Sequence, residues 1–117
     1  AFVAKDRLTM TDAIAMIHAA GGLAILAHPG AAGTRERIEA LRAQGLDGVE
    51  VKHPSHSSSD TTRLKGLCEL LGLVPSGGSD WHGAAEGPRT IGMMRVSAEW
   101  LTRQDVHLAA LGRAPAA

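Results

Sequence analysis

The stretch DGVEVKHPSHSSSDTTRLKGLCELLGLVPSGGSDWH, residues 47–82, decides the fold. DGVEVKH reads as a strand, PSHSSSD as a polar loop, and TTRLKGLCELLG as a helix stopped by Gly72. LVPSGGSDWH follows as a further strand and its loop. Strand, helix and strand within one such stretch is the signature of a βα unit.

Reading outward, the unit recurs. LTMTDAIAMIHAAGG predicts a helix that Thr9 can cap, with Asp12 as acidic capping partner and Gly21 as its stop. LAILAH is a short apolar strand running into His28-Pro29-Gly30. TRERIEALRAQG predicts a second helix with Ile38 and Leu41 facing inward and Gly45 at its end. The strands begin near Leu23, Gly48 and Leu73, about 25 residues apart, and that period argues for βα units on a parallel sheet. The tail RTIGMMRVSAEWLTRQDVHLAALG reads as a short extended piece and then a helix from about Ala98, before a frayed APAA.

Parallel α/β sheets carry their working residues at the carboxyl ends of the strands. Those ends here carry His28, then His53 and His56, then Asp80 and His82. Imidazole and carboxylate together suit Zn, Mn or Fe. Asp80 and His82, two residues apart among glycines, serve either as one edge of a metal site or as an Asx-turn with a solvated His. His56 sits among Ser55, Ser57, Ser58 and Ser59, a set that either holds a phosphate or caps the next helix. His53, before Pro54, is the weakest member of the group. Glu50 is either a buried acid or a partner of Lys52 or Arg42. Lys52 and Arg35 are possible phosphate contacts, with a solvated role favoured for Arg35. Trp81 is expected to cover the site, and His18 and His107 read as ordinary helix residues.

Composition narrows the classes of function. An aromatic share of 3% leaves packing to Leu, Ala, Ile and Val, within one small domain of 117 residues. Twelve basic and twelve acidic residues cancel, so charge makes no case for extended nucleic acid or an anionic membrane. No apolar run reaches membrane-spanning length and no signal-peptide pattern opens the chain. The single cysteine, Cys68, forms no internal disulfide, suits a cytoplasmic setting, and lies in an apolar helical stretch that predicts a packing role. The chain begins at Ala1, which reads as processing or excision from something longer.

The segments GGLAILAHPG, GLDGVEVKHPSH and LGLVPSGGSDWHG resemble the PHP (polymerase and histidinol phosphatase) family of metal-dependent phosphoesterases, in its TrpH-like, nucleoside-bisphosphate phosphatase branch. The resemblance covers about residues 9–83 and implies the C-terminal part of a distorted seven-stranded βα barrel. On that reading residues 1–117 are a C-terminal portion of the domain, with βα units over about 9–83 and a final helix over about 98–112. It implies metal-dependent hydrolysis of phosphate monoesters on nucleotides or short oligonucleotides, with two or three divalent ions (Mn, Zn or Fe) in the complete domain. His28, Asp80 and His82 match metal ligands, and His56 matches a histidine at the scissile phosphate. Ala31 stands where relatives often place a phosphate-binding arginine, which leaves that task to His56, Lys52 or another arginine. The family's opening His-x-His motif has no match here. The implied partner is therefore the missing N-terminal half of the barrel or another chain, and the chain alone is expected to be inactive. The competing expectation is a catalytically incomplete metal- or phosphate-binding module that pairs with a partner chain.

Overall fold

A computed structural model describes residues 8–83, 92 and 94–112. Helix α1 spans Met10–Ala19; the Thr9 hydroxyl accepts from the Asp12 amide, and Gly21, at φ +82°, follows its end. Helix α2, Arg35–Ala43, opens in the same way on Thr34. Helix α3, Ser58–Leu71, has a full capping box: the Ser57 hydroxyl accepts from the Asp60 amide while the Asp60 carboxylate accepts from the Ser57 amide. Those Ser57 bonds also hold the Asp60 carboxyl below its usual range. Gly72, left-handed at φ +67°, closes the helix, a conformation that costs glycine no Cβ clash. Helix α4, Ala98–Ala110, starts from Ser97. Among the described residues, no helix is long and apolar enough to cross a membrane.

Three short strands, β1 (Ile25–Leu26), β2 (Gly48–Lys52) and β3 (Val74–Gly77), form one parallel sheet in the order β1-β2-β3. Ile25 pairs with Gly48, and Gly48 in turn with Val74, so the three units stand side by side. Val49 and Val51 point into the helical layer and are fully buried with Ile38, Leu64 and Cys68; Leu73, Ile14 and Trp100 complete the core. The neighbouring face carries Gly48, where a Cβ would stand 2.4 Å from the Val74 carbonyl oxygen and 2.7 Å from Ile25 Cδ1. Only glycine lets the strands approach this closely.

The expected parallel α/β architecture is present, with two local corrections. Helix α3 begins at Ser58 rather than Thr61, because the Ser57–Asp60 capping box recruits residues read as loop. Strand β1 is only two residues long, since Pro29 and a turn of 3-10 helix over Gly30–Ala32 take the chain out of the sheet. The anticipated extended piece before α4 and the APAA tail lie largely or wholly outside the described residues.

Candidate metal centre at the strand ends

Each strand delivers its polar residues just past its carboxyl end. His28 follows β1, His53 and His56 follow β2, and Asp80 and His82 follow β3. Because the strands are adjacent and parallel, these loops meet on one rim. The His28 and His53 rings lie 5.0 Å apart between centroids, and His53 and His56 lie 5.8 Å apart. His53 Nε2 is 2.9 Å from Asp80 Oδ2, which joins the β2 loop to the β3 loop. His28 (φ +25°) and Asp80 (φ +52°) are the two non-glycine residues with positive φ among those described. Such backbone costs about 1–3 kcal/mol and gathers at functional sites.

Hydrogen bonding assigns the ring hydrogens. His56 Nδ1 lies 2.7 Å from the Val51 carbonyl, which can only accept, so Nδ1 donates; Nε2 then accepts from the Gly30 amide at 3.1 Å. His53 shows the opposite tautomer. Its Nδ1 accepts from the Ser55 amide at 3.0 Å, so its hydrogen sits on Nε2 and is donated to Asp80. His82 Nδ1 donates to the Asp80 carbonyl and stands 3.7 Å from Asp80 Oδ1.

The other singled-out residues take varied positions. Glu50 Oε1 accepts from the His28 amide at 2.8 Å, which ties β2 to the first loop. A register shift between Glu50 and Lys52 interrupts the pairing of β2 with β3. Lys52 leans over Trp100, 5.7 Å from the ring centre, and its Nζ donates to the Arg95 carbonyl. Lys52 and His56 nevertheless line one cavity of about 480 Å³ with Ser58, Thr61, Thr62 and Arg95. Arg35 pairs with Glu39 one turn along α2, and Trp81 is exposed. Cys68 is buried, and desolvation pushes its thiol up to about 11.

Two imidazoles and a carboxylate, His28, His82 and Asp80, are donors of the right kind for a divalent ion, placed where such a sheet puts its ligands. Among the described residues, however, no three His, Cys, Asp or Glu side chains are gathered closely enough to hold one. By kind these donors suit a divalent metal, but the described side chains do not by themselves complete a site for one.

A second polar cluster lies at the opposite end of the sheet. Buried Asp47, just before β2, receives the Ala24 amide and His18 Nε2 on Oδ2, each at 2.7 Å, and His107 Nε2 on Oδ1 at 3.1 Å. Burial alone would raise the Asp47 pKa, but the Ala24 amide and the two imidazoles outweigh it and leave the carboxyl below its usual range. His18 and His107, read from sequence as ordinary helix residues, thus join α1 and α4 to the sheet. Only their placement in the last turns of two helices, where a basic side chain suits the helix dipole, hints at this locally.

No family model matches the chain. It is 40% identical over 78 residues to a phosphoribosyl 1,2-cyclic phosphate 1,2-diphosphodiesterase from Eggerthella lenta, a match spanning 67% of this chain and 30% of the relative. It is 38% identical over 96 residues to a 3′,5′-nucleoside bisphosphate phosphatase from Chromobacterium violaceum, spanning 78% of this chain and 34% of that one. The crystal structure of a Bifidobacterium adolescentis protein assigned as a metal-dependent phosphoesterase superposes with a TM-score of 0.74 at 27% identity, over 91% of this chain and 39% of the other. The chain thus spans about a third of the length of the relatives it matches.

Proposed function

We propose, from the premise that the chain belongs to the PHP metal-dependent phosphoesterases and matches their C-terminal portion, that it supplies one wall of a phosphoesterase active site. The sheet is then the C-terminal part of the seven-stranded barrel, and residues 1–117 are that portion of the domain. The substrates are phosphate monoesters of nucleotides or short oligonucleotides. The observation that carries the reading is the meeting of His28, His53, His56 and Asp80 at the carboxyl ends of three adjacent parallel strands.

In this role His28, Asp80 and His82 hold divalent metal, with Mn, Zn and Fe all compatible with such donors. Bound metal supplies Lewis-acid activation of the phosphate and of the attacking water. His56 serves the phosphate itself. At rest its Nε2 accepts the Gly30 amide hydrogen. An imidazole and a backbone amide side by side are polar groups suited to steadying a phosphate oxygen as negative charge builds on it. Lys52, on the same cavity wall, adds positive charge once it leaves the Arg95 carbonyl.

The test is Asp80→Asn in the protein with its complete metal site. Asn keeps the size and the turn-forming oxygen but removes the anionic charge. The variant should melt like wild type while losing bound metal, and with it hydrolysis of a nucleoside 3′,5′-bisphosphate in manganese. A folded variant with full metal content and full turnover would refute the assignment. The 117-residue chain alone should show negligible turnover in the same assay.

A further inference from the structure

We infer that His53 is a positioning residue that fixes the orientation of the Asp80 carboxylate as a metal ligand. The inference rests on the reading of Asp80 as a metal ligand and adds to it a residue outside the ligand set. His53 is 2% exposed, the most deeply buried of the rim histidines. A buried imidazole must place both ring nitrogens in hydrogen bonds, and His53 does so in a directed way. Pro54 and Ser55 form a tight turn, closed by the His56 amide on the His53 carbonyl at 3.0 Å. That turn brings the Ser55 amide back onto Nδ1 at 3.0 Å and the Ser55 hydroxyl to 2.7 Å.

A backbone amide is a donor that no rotation can turn into an acceptor. With that hydrogen directed at Nδ1, the ring hydrogen on Nε2 points at Asp80. Two consequences follow for Asp80. First, Nε2–H holds Oδ2 at 2.9 Å, which removes rotational freedom from a carboxylate on a glycine-rich loop at positive φ. Second, with Oδ2 engaged by His53, Oδ1 is the oxygen held beside His82, whose Nδ1 stands 3.7 Å from it. The ring also packs between His28 and His56, at 5.0 and 5.8 Å, so one buried side chain sets the spacing of all three loops.

The experiment compares manganese affinity, by calorimetry on the metal-free complete protein, for wild type, His53→Ala, His53→Gln and Asp80→Asn. Loss of a hydrogen-bond partner behind a ligand weakens metal binding about 10–100-fold, and His53→Ala should fall in that range. Gln can place an amide N–H near the position of Nε2 but is a poor ligand, so His53→Gln should recover most of the affinity. Asp80→Asn should lose it entirely; retention there would instead overturn the reading of Asp80 as a ligand. With Asp80→Asn defective, wild-type affinity in His53→Ala would refute the positioning role. His53→Gln as defective as Asp80→Asn would also refute it, because His53 would then itself be a ligand. A check independent of variant folding is the ¹⁵N spectrum of the metal-free protein. The His53 ring should show protonated Nε2 and bare Nδ1, and the reverse tautomer would overturn the inference.

Discussion

Replacing Asp47 with alanine should destabilise the protein by about 3 kcal/mol, a large part of the ~5–15 kcal/mol that holds a domain folded. The carboxylate is 5% exposed and accepts three hydrogen bonds. Without it the amide of Ala24, itself 2% exposed, loses its acceptor, and a buried unsatisfied donor costs about 1–3 kcal/mol. The imidazoles of His18 and His107 are 26% and 29% exposed, so water replaces their lost acceptor and each adds only about 0.5–1 kcal/mol. Asp47→Asn keeps one oxygen for Ala24 and His18 but turns an amino group toward His107, and should cost about half as much. The assay is urea unfolding at neutral pH, followed by the fluorescence of buried Trp100. The acid limb has a defined sign. The Asp47 pKa is lowered by folding, so its contribution is complete above the unfolded value near 3.8 and is lost as pH falls through the lower folded value. The gap between wild type and Asp47→Asn should therefore narrow in acid. An alanine variant within about 0.5 kcal/mol of wild type would refute the reasoning, as would a gap that widens in acid.

Gly48→Ala should destabilise the sheet by about 1–3 kcal/mol, because its Cβ would press on the Val74 carbonyl and Ile25; an unchanged unfolding midpoint would contradict the close approach. The Cys68 thiol should react with a thiol reagent only after unfolding. Its pKa, raised from 9.0 to about 11 by burial, also means that stability declines as pH climbs through that interval. Rapid labelling of the folded protein would show that the helix layer opens at Cys68.

Much of this molecule is legible in short stretches. Thr9 and Gly72 act on amides and carbonyls within a few residues, so their caps could be placed before any fold was known. The period of helix and apolar strand predicted parallel strands, and with them a common rim for His28, His56, Asp80 and His82. The onset of α3 was misplaced because Ser57 and Asp60 signal a polar loop as readily as a capping box. What tertiary structure alone decided are the partners. Asp80 meets His53 across 27 positions, and Asp47 meets His18 and His107 across 29 and 60. His53 looked like the weakest rim candidate and His18 and His107 like ordinary helix residues, since little beyond a place in a helix's last turn sets those two apart in the sequence. Caps and turns draw on atoms that the chain keeps within one turn, so their free energy is written in adjacent residues. The hydrogen bonds of Asp47 and His53 exist only once packing has chosen which strand and helix ends lie together.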